Sequence, residues 1–146
     1  MYLPQDIFSS VIANTPLISI DLVIINQQGQ ALLGERLNRP AKGYWFVPGG
    51  RIQKNESLAQ AFERLTRDEL GEVFSIHNAT CMGPYDHFYD DCVFDPDIST
   101  HYVAIAYQLI LSQPLFNLPI DEQHSGYAWR DVASLLDDDN VHDNTK

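Results

Sequence analysis

A chain of 146 residues that is 45% hydrophobic has room for one domain and apolar material enough for its core, so neither a disulfide nor a structural metal is needed to hold it. The formal net charge of −11 argues against nucleic acid, whose phosphates would be repelled. No apolar run approaches the ~20 residues of a membrane span, Met1 to Ser10 lacks the basic start and cleavage-like end of a signal peptide, and Cys81 and Cys92 have no metal-like spacing, so a reduced, cytoplasmic protein is expected.

In chain order, Pro4 opens a short helix with Ile7, Phe8, Val11 and Ile12 on one face, and Asn14-Thr15-Pro16 ends it. Leu17 to Ile25 reads as a strand buried on both faces. Gln27-Gln28-Gly29 is the hairpin turn, and Ala31 to Arg36 the return strand. A loop over 38–44 carries Arg39, Pro40 and Gly43. Trp45-Phe46-Val47 is a short strand, cut off by Pro48-Gly49-Gly50. Ser57 and Gln60 match a capping box, and Leu58, Ala61, Phe62 and Leu65 form an apolar stripe at helical spacing. Gly71 is placed to stop that helix in the left-handed conformation. Further strands are expected at roughly 79–88, 101–111 and 126–130, and Asp131 is a candidate cap for a last helix over Val132 to Leu136. Mixed strands with a few helices predict an α/β or α+β fold around a mixed sheet.

The charges are unevenly spread. Seven of the nine basic residues lie between Arg36 and Arg67, and fifteen of the twenty acidic residues lie from Asp68 onward. An acidic chain with one basic stretch can still bind an anionic small molecule there, although any single basic residue is most simply a solvated charge. Within the apolar run 17–25, alternation puts Ser19 and Asp21 on one face and Ile18, Ile20 and Leu22 on the other. An unpartnered buried carboxylate is costly, so either a structural partner satisfies Asp21 or it lines a polar pocket. Tyr102 shares a strand face with Ala104 and Ala106, whose small side chains leave room for a ligand or for a packed helix.

Gly50 to Gly71 is the most informative segment. Gly50 is followed after five residues by Glu56 and after seven more by Arg64; then come Asp68, Glu69 and Gly71. This resembles the Nudix box, in which a Gly-rich turn and a helix bring a backbone carbonyl and carboxylates to a divalent cation. The resemblance implies a Nudix α/β/α sandwich around a mixed sheet, a single domain over 1–146 with its box at 50–72, and Arg64 orienting the helix glutamates rather than the substrate. One departure matters. The acid that follows the box arginine is Leu65 here, one turn before Glu69 on the same helix face, and Asp68 replaces a Glu with a shorter arm. Fewer helix carboxylates imply fewer metals, and a general base that has moved elsewhere.

That reduced box resembles the GDP-mannose mannosyl hydrolase branch of the family. Matching stretches include Gly43 to Arg51, His87-Phe88-Tyr89-Asp90-Asp91, Thr100 to Val103, Asp121-Glu122-Gln123-His124 and Asp139-Asn140-Val141-His142. The branch cleaves GDP-mannose to GDP and mannose by attack of water at the anomeric carbon, with inversion. Carried over, the Gly49 carbonyl, Glu69 and Gln123 ligate one Mg²⁺ per subunit, with Mn²⁺ as a substitute, and His124 is the general base. Asp21 holds or positions the sugar, with His87 near it. Arg36, Arg51 and Tyr102 stabilise the departing diphosphate. A nucleotide-sugar substrate and a homodimer are implied as well. Two other functions stay open: a Nudix pyrophosphatase that attacks phosphorus, and a catalytically silent module that binds a nucleotide sugar.

Overall fold

The apolar run near the N-terminus becomes β1 (Leu17–Ile25), the spine of the molecule. The computed structural model describes residues 3–36, 43–90, 97–115 and 124–141, with the backbone alone for His124 and Ser125. Ahead of β1 lies α1 (Gln5–Asn14), whose chain turns extended at Thr15. After it come β2 (Gln30–Arg36), β3 (Trp45–Phe46), β4 (Gly49–Arg51), α2 (Leu58–Leu70), a 3-10 turn at Ile76–Asn78, β5 (Thr80–Tyr89), β6 (Thr100–Ile110), β7 (His124–Asp131) and α3 (Val132–Leu136).

These strands form one mixed sheet. β1 runs parallel to β6 along nine residue pairs, from Leu17↔Tyr102 to Ile25↔Ile110. Among the described residues the other strand pairings are antiparallel, β5 on β6, β7 on β2, β3 on β2 and β4 on β1, and a single parallel bridge joins Trp45 to Val141. β1 and β2 pair beside their turn, at Ile25↔Ala31, and then part. The segment 45–51 fills the gap, with Trp45 and Phe46 on β2 and Gly49 to Arg51 on β1. The Leu22 amide donates to the Pro48 carbonyl at 2.8 Å, which holds the wedge in place. The Gly-rich residues expected as a turn are therefore a strand inserted between two others.

Pleating sends alternate β1 side chains to opposite layers. Ile20, Leu22 and Ile24 are fully buried with Ala61, Phe62, Leu65 and Leu70 of α2. On the other face Leu17 packs with Ile12 of α1, while Ala31 and Leu33 of β2 pack with Leu135 of α3 and Val141. With α2 on one side and α1 and α3 on the other, the expected α/β/α sandwich is present. Expectations fail at three points. Ile18 and Leu58 are exposed, although the strand and the helical stripe they belong to read as buried. The buried stripe of α2 is completed instead by Thr66 and Leu70. Thr66 fits there because its hydroxyl donates to the Glu63 carbonyl and accepts from the Phe74 amide. Asp131 stands at the start of α3 but makes no side-chain cap.

Candidate active site

The helix of the box is stopped and started by its own residues. Ser57 Oγ accepts from the Gln60 amide, and Gln60 Oε1 accepts from the Ser57 amide, so two orphan donors are satisfied. At the far end Gly71 takes φ 78°, and its amide donates to the Arg67 carbonyl. Arg64 reaches back from the helix to the loop before it. Its Nε donates to Glu56 Oε2 at 2.7 Å, and its Nη2 donates to Glu56 Oε1 and to the Arg51 carbonyl, both at 2.9 Å. Glu56 also accepts from the Gln53 amide, and the Arg64 guanidinium holds its carboxyl below the ordinary carboxylate range. Arg64 thus orients the loop acid Glu56 and the carbonyl of β4.

Gly49 lies too close to β1, and Gly50 too close to α2, for any larger residue. A Cβ on Gly49 would sit 2.2 Å from the Ile20 carbonyl oxygen, and one on Gly50 would meet Leu65 Cδ2 at 2.6 Å. Leu65 is 3% exposed and belongs to the core, so the position that departs from the box is filled by packing against Gly50. Glu69, one turn further on, is also 3% exposed. A carboxylate at that depth needs donors or a cation to offset its desolvation. Asp68 stays at the surface, 3.7 Å from Arg67. Glu69 and the Gly49 carbonyl are hard oxygen donors of the kind Mg²⁺ takes, and the donor set fits that ion in type. Among the described residues no three His, Cys, Asp or Glu side chains converge as a metal cluster. Gln123, the third expected ligand, lies outside the described residues.

The other face of β1 carries the polar pair. In register, Asp21 stands beside Gly49 of β4 and Ala106 of β6, while His87 of β5 stands beside Tyr102. His87 Nε2 comes within 3.9 Å of Asp21 Oδ2, too far for a hydrogen bond. Burial pushes the Asp21 carboxyl up to about 7. Tyr102 meets Tyr89 edge-on at 6.4 Å between centroids, and Tyr89 lies 6.2 Å from Phe46. This aromatic row was not anticipated; the available signal was the i, i+2 spacing of His87 and Tyr89 on one strand. Arg51, in register with Ser19, lays its guanidinium over the Phe8 ring of α1. Asp21, His87, Tyr102 and Arg51 therefore all belong to the sheet face that α1 covers.

Arg36 ends β2, and its register partner across β7 is His124. The pairing slips between Gly34 and Arg36, a bulge of the sort that re-aims side chains at the rim of a site. The side chain of His124 is outside the described residues, as are Arg39, Pro40 and His142. Trp45 is fixed from the C-terminal side: its amide donates to the Asn140 carbonyl, and Arg130 pairs with Asp138 just ahead. No helix among the described residues is long and apolar enough to cross a membrane.

Residues 15–146 match the model of the NUDIX domain. The low-salt glycan biosynthesis protein Agl8 of Haloferax volcanii is 43% identical over 84% of this chain and 76% of its own. A MutT NUDIX hydrolase from Burkholderia pseudomallei superposes with a TM-score of 0.70 at 24% identity, over 90% of this chain and 94% of that one. The NUDIX domain of Shewanella oneidensis NrtR, solved with ADP ribose, gives 0.66 at 21% identity, over 97% and 92%.

Proposed function

The chain belongs to the Nudix domain family, and on that premise we propose that it hydrolyses GDP-mannose, with GDP-glucose as a second substrate, to GDP and free sugar. Water attacks the anomeric carbon and inverts it. The observation that carries this reading is Leu65. In the box that position is acidic; here it is core, packed on Gly50. A helix that presents Glu69 without that acid supports one metal on the leaving diphosphate rather than a metal-rich site that drives water onto phosphorus. The relative named for glycan biosynthesis supports a sugar nucleotide as the substrate class.

The roles follow. The Gly49 carbonyl, Glu69 and Gln123 would hold Mg²⁺, or Mn²⁺ in its place, and the bound ion would neutralise and orient the diphosphate. Arg51, Arg36 and Tyr102 stabilise the charge that builds on GDP as the glycosidic bond breaks. Asp21 and His87 hold sugar hydroxyls on the face above Ala104 and Ala106. His124 takes the proton from the attacking water, and imidazole has the unperturbed pKa for that work near neutrality. The working unit in this reading is residues 1–146 as one domain, in a cytoplasmic homodimer.

Attack on phosphorus is the second reading, favoured by the intact Arg64–Glu56 pair and by Glu69, which this chain shares with the full box. Turnover of GDP-mannose with Mg²⁺ in ¹⁸O-labelled water separates the two. Cleavage at carbon leaves all the diphosphate oxygens with GDP, so unlabelled GDP and a β-configured first product are expected. Label in GDP, or GMP with mannose phosphate, would establish attack on phosphorus. Binding without turnover would leave the silent module.

A further inference from the structure

Arginines in this protein differ in what neutralises them. Arg64 is held by Glu56, Arg130 by Asp138 and Arg67 by Asp68. Arg51 is half-buried, and among the described residues its guanidinium meets a ring instead of a carboxylate, with Cζ 4.7 Å from the centre of Phe8. We propose that Phe8 is a positioning residue for an anion site at Arg51. Its ring holds the guanidinium by one face, so that the in-plane N–H edges are presented to a diphosphate. The inference rests on the reading of Arg51 as a diphosphate ligand and adds to it the residue that sets the arginine's orientation.

Both ends of the contact are fixed. The β4 backbone at Arg51 is registered on Ser19, and its carbonyl accepts from Arg64 Nη2 at 2.9 Å. Phe8 is placed by α1, whose Val11 and Ile12 pack with Leu17, Tyr102 and Ile98. The same helix face thus touches Arg51 through Phe8 and packs with Tyr102. A guanidinium carries five donors in one plane and no acceptor. A carboxylate partner would occupy those edges and cancel the charge. An aromatic face attracts the cation through the ring quadrupole and leaves the edges and the charge available. An anion that arrives in the plane meets a donor fork whose rotamer freedom has already been reduced, which is the advantage of preorganisation.

The test is calorimetric binding of inorganic pyrophosphate and of GDP, each with Mg²⁺, alongside steady-state turnover of GDP-mannose. Phe8→Leu keeps an apolar side chain but removes the ring. It is expected to weaken both ligands roughly 3- to 20-fold, the range that a partly desolvated cation–π contact supports, and to raise KM more than it lowers kcat. Phe8→Trp should stay within about two-fold, since indole is the stronger quadrupole. In an Arg51→Ala background, Phe8→Leu should add nothing further. Equal losses for Phe8→Leu and Phe8→Trp, or additive losses for Phe8→Leu and Arg51→Ala, would overturn the role of Phe8 while leaving Arg51 as a ligand. Arg51→Ala binding pyrophosphate like the unsubstituted protein would instead remove the diphosphate reading of Arg51, and the role of Phe8 with it. Circular dichroism on each variant identifies any that fails to fold, and Phe8→Trp with Arg51→Ala still decides the question should Phe8→Leu be lost.

Discussion

On one face of β1, Ile20, Leu22 and Ile24 are sealed beneath α2, and the box helix is tied down at every point: a reciprocal N-cap, a glycine C-cap, the Arg64–Glu56 fork, and Leu65 against Gly50. On the other face, Asp21 and His87 approach only to 3.9 Å, and Arg51 rests on a ring. The first face uses its polar groups on one another and gains rigidity. The second brings Asp21, His87 and Arg51 onto one face of the sheet, beside the small side chains of Ala104 and Ala106.

The largest expected effect is at His124, on the rim beside Arg36. His124→Ala should lower kcat roughly 10²–10⁴-fold with little change in KM, as loss of a placed base does. Unchanged turnover would take His124 out of the reaction. Glu69→Gln should cost about ten-fold or more in activity and raise the Mg²⁺ needed for half-activity, since a neutral oxygen is the poorer ligand. A normal Mg²⁺ titration would put the metal elsewhere.

Leu65→Glu restores the acid of the box and so tests whether that position is core or site. Packed on Gly50, the new carboxylate should destabilise the protein by about 3–5 kcal/mol in urea unfolding, the scale of an uncompensated buried charge. Recovery of the lost stability on adding Mg²⁺ would mean that position 65 faces a cation rather than the core.

The pH dependences of the two faces should be opposite in sign. Asp21 has its folded pKa raised to about 7. Between its unfolded value and that point the folded state binds more protons, so stability falls as pH rises from about 4 to about 7. Asp21→Asn, unfolded in chelator across that range, should abolish this decline; a mutant that keeps the slope would assign it to another group. Glu56 is shifted the other way, with its folded pKa held low by Arg64. Its contribution is present above the unfolded carboxylate pKa and is lost as pH falls through the lower folded value. The smallest effect predicted here is that Glu56→Gln narrows the stability gap between pH 7 and pH 3, measured by denaturant midpoint.

Local patterns alone specified much of this protein. The bounds of β1 from Leu17 to Ile25, the capping box of α2 and its stop at Gly71, and the acidic and glycine spacing from Gly50 to Gly71 all depend on neighbours within a few positions, where propensity and periodicity act. Tertiary structure decided what those patterns mean. Pro48-Gly49-Gly50 reads as a turn, yet Gly49 to Arg51 is a strand, because β1 and β2 part and leave backbone groups that only an inserted strand satisfies. Ile18 and Leu58 fit their apolar patterns but stay exposed, since burial is decided by what packs on a residue rather than by period. Arg64 lies beside Glu63 in sequence but pairs with Glu56, because the loop folds back under the helix. The approach of His87 to Asp21, and of Phe8 to Arg51, joins residues dozens of positions apart. Such contacts exist only once a parallel strand pair and a covering helix have brought distant segments onto one face, and no window along the chain contains both partners.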